Sequence, residues 1–231
     1  YVALSDVLDL TAIDNNVLEA TKAIGNQAGL TLDTITRNIL QAGTNVQYCP
    51  KVGASGTTAV TSRADIDATC KLTVDEIKKA VATLKANNVP KISGSYVAII
   101  HPYAAYDLMS DPKWEEMHKY TSAENMYEGE IGRIAGVRFV ESSEALIVKT
   151  STNPAVFCTL VLGENAYGIT EVTGGGLKTI IKQLGSAGTA DPLDQRSTVG
   201  WKAMQTAEIL QQNYMIRIES GGAFSDTAKA N

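Results

Sequence analysis

Ile13-Asp14-Asn15-Asn16-Val17-Leu18-Glu19-Ala20-Thr21-Lys22-Ala23-Ile24-Gly25-Asn26-Gln27-Ala28-Gly29-Leu30-Thr31-Leu32-Asp33-Thr34-Ile35-Thr36-Arg37-Asn38-Ile39 carries one unbroken helical stripe. Its marks are Ile13, Val17, Ala20, Ile24, Ala28, Thr31, Ile35 and Ile39, each three or four residues from the last, the spacing that lines one face of a helix. Gly25 and Gly29 each cost about 1 kcal/mol in a helix interior and invite the alternative of two helices joined by a turn. The phase does not reset across them, so the sequence predicts a single helix from Asp6 to Gln41, roughly 50 Å long at 1.5 Å per residue. Such a helix is a spine for an elongated subunit.

Working outward, Gly43 ends the helix, Asn45 to Tyr48 reads as extended, and Gly53 to Thr58 as a loop. Thr73-Val74-Asp75-Glu76 has the pattern of a capping box, and Val74, Ile77, Val81 and Leu84 mark the buried face of the helix it would open. Asn87, Asn88 and Pro90 stop that helix. Tyr96 to Ile100 is a short β-branched run, a buried strand that ends at His101-Pro102. Asp111 is placed to cap a helix with Pro112 in its first turn, Glu115 and Glu116 following, Lys119 near its end, and Trp114 and Met117 facing inward. Strands are expected at Val137 to Glu141, Ala155 to Leu162 and Leu177 to Leu184, with glycine-rich turns at 163–168 and 174–176. A polar loop from Gly185 to Gln195 precedes the long segment Ser197 to Glu219, whose end, Tyr214 to Ile218, reads as a strand. The tail from Ser220 to Asn231 is expected to fray. The fold class is α+β.

At 231 residues the chain can bury a substantial core, and 44% hydrophobic with 19% charged residues is the balance of a globular protein rather than a disordered or fibrous one. Twenty basic against 25 acidic residues leave a net charge of −5, and no dense basic run stands out. Phosphate-backbone binding draws on clustered Lys and Arg, so direct DNA binding is not expected. Cys49, Cys70 and Cys158 are odd in number and far apart, unsuited to a disulfide framework or a structural zinc site, and read as free buried thiols. With no membrane-length apolar stretch and no signal-peptide pattern, a reducing cytoplasm fits. The chain starts at Tyr1 and enters a helical pattern within a few residues, which suggests that something upstream has been removed.

Catalytic motifs are scarce. His101 and His118 lack a convincing Cys, Ser or carboxylate partner, and His101 before Pro102 reads as a strand-end residue satisfied by backbone. H-E-x-x-H, G-x-S-x-G and the Walker pattern are missing from the sequence. Gly174-Gly175-Gly176 before Lys178 could suggest a phosphate cradle, but its spacing is wrong and it leads into a strand, so a tight turn is expected. Glu115, Glu116, Glu124, Glu128 and Glu130 could hold a carboxylate pair for glycoside hydrolysis or a divalent cation. A solvated acidic face is the plainer reading. A hydrolase using that cluster would lose its activity on Glu124→Gln or Glu128→Gln without losing its fold.

Four segments together resemble a known family: His101-Pro102-Tyr103; Asp111-Pro112-Lys113-Trp114; Gly129-Glu130-Ile131-Gly132-Arg133-Ile134-Ala135-Gly136-Val137; and Asp191-Pro192-Leu193-Asp194-Gln195-Arg196-Ser197-Thr198-Val199-Gly200-Trp201-Lys202. The chain is similar, from Ser5-Asp6 to about Glu219, to the major capsid proteins of tailed phages typified by phage N-four, and the last segment is the most specific. The resemblance implies the Hong Kong 97 capsid fold, with a long spine helix, a peripheral β-sheet domain and a mixed α/β axial domain. It places residues 1–92 in the peripheral domain, 93–196 in the axial domain, and 197–231 in strands packing back toward the former.

By the same resemblance the protein is a structural subunit and not an enzyme. It would need no cofactor and no metal, and would self-associate into pentamers and hexamers with scaffold, portal and possible decoration proteins as partners. It would not bind nucleic acid sequence-specifically or enter a membrane. It would assemble in the host bacterial cytoplasm and reside in the virion. Asp191, Asp194 and Arg196, in the loop beside the most specific motif, are interface candidates. Family members carry an N-terminal arm and an extended loop ahead of the spine helix, and this chain begins after both, which leaves an assembling and a monomeric chain both open. An encapsulin-type compartment shell is the alternative; what the shell encloses, genome or cargo protein, discriminates the two.

Overall fold

The computed structural model describes residues 1–53, 56–118, 132–149, 154–225 and 227–231, and the side chains of all of these but Met117, His118 and Glu171. The chain divides into two compact units, Tyr1–Thr36 with Ile169–Glu208, and Arg37–Gly168 with Ile209–Asn231. The expectations for Met117 as an inward side chain, Lys119, the side chain of His118, Glu124, Glu128, Glu130 and the segment Gly129 to Ile131 lie outside what is described.

The first unit is helix on sheet. Strand β1 (Val2–Ser5) leads into a short helix α1 (Asp6–Thr11) and then the long helix α2 (Asn16–Gln41), whose residues through Thr36 belong to this unit. Strands β11 (Lys178–Lys182) and β12 (Arg196–Lys202) complete an antiparallel sheet in the order β1-β12-β11. Val17, Ala20 and Ile24 of α2 pack with Leu4, Val199 and Trp201 of the sheet. A further strand, β13 (Gln205–Ile209), pairs with β10 (Tyr167–Glu171).

The predicted spine helix is corrected at its start. Ala12 is extended (φ −83°, ψ 142°), and Asn15 caps a new helix by accepting the Leu18 N–H on Oδ1 at 3.1 Å. The run Asp14-Asn15-Asn16 competes for backbone bonds and favours a cap over a helix interior. What remains is 26 residues, roughly 39 Å at 1.5 Å per residue. Across Gly25 and Gly29 the helix is continuous, as the unbroken phase requires. The stripe itself is half right: Ala20, Ile24 and Ala28 are buried, whereas Ile13 and Ile35 are exposed.

The second unit is built on a seven-stranded sheet, order β2-β14-β9-β5-β7-β6 with β8 also on β9. Its strands are β2 (Val46–Tyr48), β5 (Tyr96–Ile100), β6 (Arg133–Ile134), β7 (Val137–Glu141), β8 (Ile147–Val148), β9 (Val156–Leu162) and β14 (Met215–Ser220). Every residue of β9, Val-Phe-Cys-Thr-Leu-Val-Leu, is buried, as suits a central strand covered on both faces. Strands β5 and β7 run parallel, so the chain must cross over between them, and it does so through helices α4 (Pro102–Met109) and α5 (Pro112–His118). The family-like segment Ile134-Ala135-Gly136-Val137 is the β6–β7 hairpin, whose two turn residues have φ of 53° and 83°, the left-handed pair of a type I′ turn.

Helix α3 (Val74–Ala86) buries Val74, Ile77, Val81 and Leu84 as predicted, but its capping box does not form. The Thr73 side chain makes no capping bond. Glu76 is drawn inward instead, where its carboxylate accepts from Gln47 Nε2 at 2.8 Å and Lys79 Nζ at 2.6 Å. The free Val74 N–H is taken by Asp111 Oδ2 at 2.9 Å. Asp111 also caps its own helix as predicted, its Oδ1 accepting the Lys113 N–H at 3.0 Å, and Trp114 is buried.

Three further differences follow from contacts the sequence pattern does not display. Lys51–Gly53 (β3) and Gly56–Thr58 (β4) pair as a hairpin where a loop was expected. The long segment after Ser197 is broken into β12, β13 and β14, with the Met204 N–H held by the Gly175 carbonyl at 2.7 Å. The tail is docked rather than frayed. The Gly221 N–H reaches the Cys70 carbonyl at 2.8 Å, Phe224 stacks on Tyr103 at 4.6 Å, and Asn231 Oδ1 accepts the Ile147 N–H at 2.9 Å.

Candidate assembly surface

The three interface candidates share the loop between β11 and β12, and the structure gives each a different task. Asp191 is turned back onto its own backbone: its Oδ2 accepts the Arg196 N–H at 2.8 Å and its carbonyl accepts the Asp194 N–H at 3.1 Å. Asp194 holds a left-handed φ of 53°, a conformation Asp tolerates better than most residues. Arg196 begins β12 opposite Ser5, with its side chain exposed. Asp191 therefore shapes the loop, while Asp194, Arg196 and the intervening Leu193, 73% exposed, are presented outward.

Around that loop the first unit is rich in uncovered apolar surface. Its buried apolar cluster consists of Ala20, Ile24 and Val199. Against that small core it leaves Leu10 84% exposed, Ile13 fully exposed and Met204 69% exposed, and most of the exposed large apolar side chains among the described residues fall in this unit. The second unit has a core several times larger. Contiguous exposed apolar surface of this kind marks a protein contact.

Candidate catalytic groups have structural occupations. His101 caps α4, accepting the Tyr103 N–H on Nδ1 at 3.1 Å, with its ring packed on Phe157 at 5.3 Å. Burial holds its pKa below the ordinary imidazole value, partly offset by Glu144. Burial raises the thiol pKa of all three cysteines, that of Cys158 to about 12, which keeps them protonated and poorly nucleophilic. Gly174 turns at φ 78° and the Gly175 N–H bonds the Val172 carbonyl at 2.7 Å, the tight turn expected there. Glu115 and Glu116 are exposed on α5. Among the described residues no group of His, Cys, Asp and Glu is arranged to hold a metal ion, and no helix is long and apolar enough to cross a membrane.

Residues 3–172 match a family model described as phage capsid protein. The chain belongs to the phage capsid protein family. Solved capsids share its fold at low identity, including that of cyanophage P-SCSP1u, with a TM-score of 0.70 at 17% identity over 96% of this chain and 71% of that one. The capsid of Ralstonia phage GP4 aligns at 0.67 and 14% over 99% and 73%, and an encapsulin from Synechococcus elongatus at 0.57 and 10% over 100% and 75%. No curated protein matches. The fold of this capsid protein is the Hong Kong 97 type, and its role is structural, as a shell subunit of the virion.

For a capsid protein, the informative surface is the one sequence patterning assigned to the interior. Ile13 was read as the first residue of a buried stripe, and Leu10 was passed over within the same predicted helix. The signal that could have found them is local: Asp9 and Asp14 flank them, and carboxylates beside large apolar residues seldom line a core.

Proposed function

We propose that this capsid protein is the major subunit that closes into the icosahedral head of a tailed phage around double-stranded DNA. It works by self-association into pentamers and hexamers, without catalysis or sequence-specific DNA binding. The observation that carries this reading is the family match across residues 3–172. Scaffold, portal and decoration proteins are the proposed partners, and the host cytoplasm is the proposed place of assembly.

In this reading the unit built on α2 takes the peripheral role and the unit built on the seven-stranded sheet takes the axial role. The boundaries at 92 and 196 then give way to those of the compact units, and β14, in the C-terminal segment 197–231, belongs with the axial sheet. Asp194 and Arg196 are proposed as interface residues, and Asp191 as the residue that holds their loop in shape.

A second reading, an encapsulin-type compartment, is supported by the fold shared with the Synechococcus encapsulin. Nuclease treatment of purified particles followed by analysis of their contents separates the two. Protected double-stranded DNA supports the phage head, and an enclosed protein cargo without genome supports the compartment.

A further inference from the structure

The two faces of the sheet in the first unit differ sharply. In register, Ile181 lies opposite Val199 and Thr179 opposite Trp201, so these share the face that packs on α2. The alternate residues define the outer face, and they include Lys178, Lys182, Arg196 and Lys202, all exposed. Strand alternation supplies no carboxylate to that face from β1, β11 or β12. None of the four cations makes an ion pair with a carboxylate among the described residues. Lys178 and Lys202 are direct cross-strand partners, a like-charge pairing that weakens an isolated sheet. In a chain of net charge −5 this face is a concentrated exception.

The helical side of the same unit has the opposite character. A groove there is bordered by Asp9, Ile13, Asp14 and Leu18 from α1, the α1–α2 junction and the start of α2, with Ile181 and Ser197 from the packed face of the sheet. Asp9, Leu10, Ile13 and Asp14 are all exposed.

We propose that the basic outer face of the β1-β12-β11 sheet is the docking site for the acidic, apolar segment Asp9–Asp14 of a second copy of this chain. The contact rests on the capsid reading and names the surfaces that carry it. The charges are complementary, and both surfaces include apolar residues: Leu10 and Ile13 on one, half-buried Ile180 on the other with exposed Leu177 and Leu184 at the ends of β11. A DNA backbone would satisfy the four cations but leave Leu10 and Ile13 uncovered, so a protein partner fits both halves. Because the two surfaces lie on opposite sides of one helix-on-sheet layer, the contact is head-to-tail. Repetition of such a contact closes into rings, the symmetry a pentamer or hexamer needs.

Charge reversal tests this in the full-length protein expressed with its own head proteins, with shell yield measured by sedimentation and electron microscopy. Lys178→Glu with Lys182→Glu, and separately Asp9→Lys with Asp14→Lys, are each expected to cut shell yield about tenfold or more, since like charges then face each other. Unchanged subunit melting shows that folding is intact. The chain carrying all four substitutions has both surfaces reversed and is expected to recover shells. Wild-type yields from the two double variants, or no recovery in the fourfold variant, overturn the contact. Normal shells with weakened DNA retention in the lysine variant also overturn it and assign the basic face to DNA. Absence of shells from the wild-type protein under the same conditions overturns the capsid reading itself.

Discussion

Asp111 caps the helix that begins at Val74, 37 residues earlier in the chain, through a 2.9 Å bond from the Val74 N–H to its Oδ2. The other carboxylate oxygen caps Asp111's own helix. One side chain thus satisfies two helix starts, while the local candidate, Thr73, makes no capping bond. Asp111→Ala is expected to cost about 2–3 kcal/mol, the sum of two typical caps. Thr73→Ala is expected to cost well under half of that. Urea unfolding of both variants checks the ranking, which a local capping box would reverse.

Glu219 is fully buried and held by two arginines: Arg63 Nε at 2.7 Å on one oxygen, and Arg217 Nε at 2.9 Å on the other. Glu219→Leu strands a nearly buried Arg217 and is expected to destabilise by about 3–5 kcal/mol. Arg63→Ala leaves the carboxylate paired to Arg217 and costs less. Chemical denaturation gives both values.

Glycines on α2 and in the tail are expected to respond in opposite directions. A Cβ at Gly25 would meet nothing within 4 Å, so Gly25→Ala should raise subunit stability by up to about 1 kcal/mol. A Cβ at Gly221 would run into the Asp67 carbonyl, so Gly221→Ala should undock the tail and lower the melting temperature. Thermal melts of the two variants check both signs.

His101 gives the subunit an acid sensitivity. Its folded pKa lies below the ordinary 6.5, chiefly through burial, so the unfolded chain binds the proton more readily. Its contribution to stability is therefore present above pH 6.5 and is lost as pH falls through the folded value. His101→Asn keeps an acceptor for the Tyr103 N–H but cannot titrate. Denaturation midpoints measured from pH 7 to pH 5 should fall less steeply for the variant than for the wild type.

Elements governed by local pattern were legible in the sequence. The buried face of α3, the strands around Val97, Phe139 and Leu160, and the Asp111-Pro112 helix start all depend on neighbours three or four residues away or on strand alternation. What was missed depends on distant partners. Glu76 left its box for Gln47, the tail found Cys70, Tyr103 and Ile147, and the helix α4 was hidden because Pro102 reads as a strand stop as well as a helix start. The loop of Asp191, Asp194 and Arg196 was found through resemblance, but Asp191's inward role required its geometry. The basic sheet face was not legible at all, because Lys178 and Lys202 are 24 residues apart and meet only through strand register.

The most direct measurement is cryo-electron microscopy of the particles formed by the full-length protein with its head partners. The account predicts closed icosahedral shells in which every five-fold and six-fold ring is built from this fold, with the α2 unit and the seven-stranded sheet resolved at each lattice position. A protein that stays monomeric with its scaffold present, or a shell whose lattice density belongs to another chain, contradicts it.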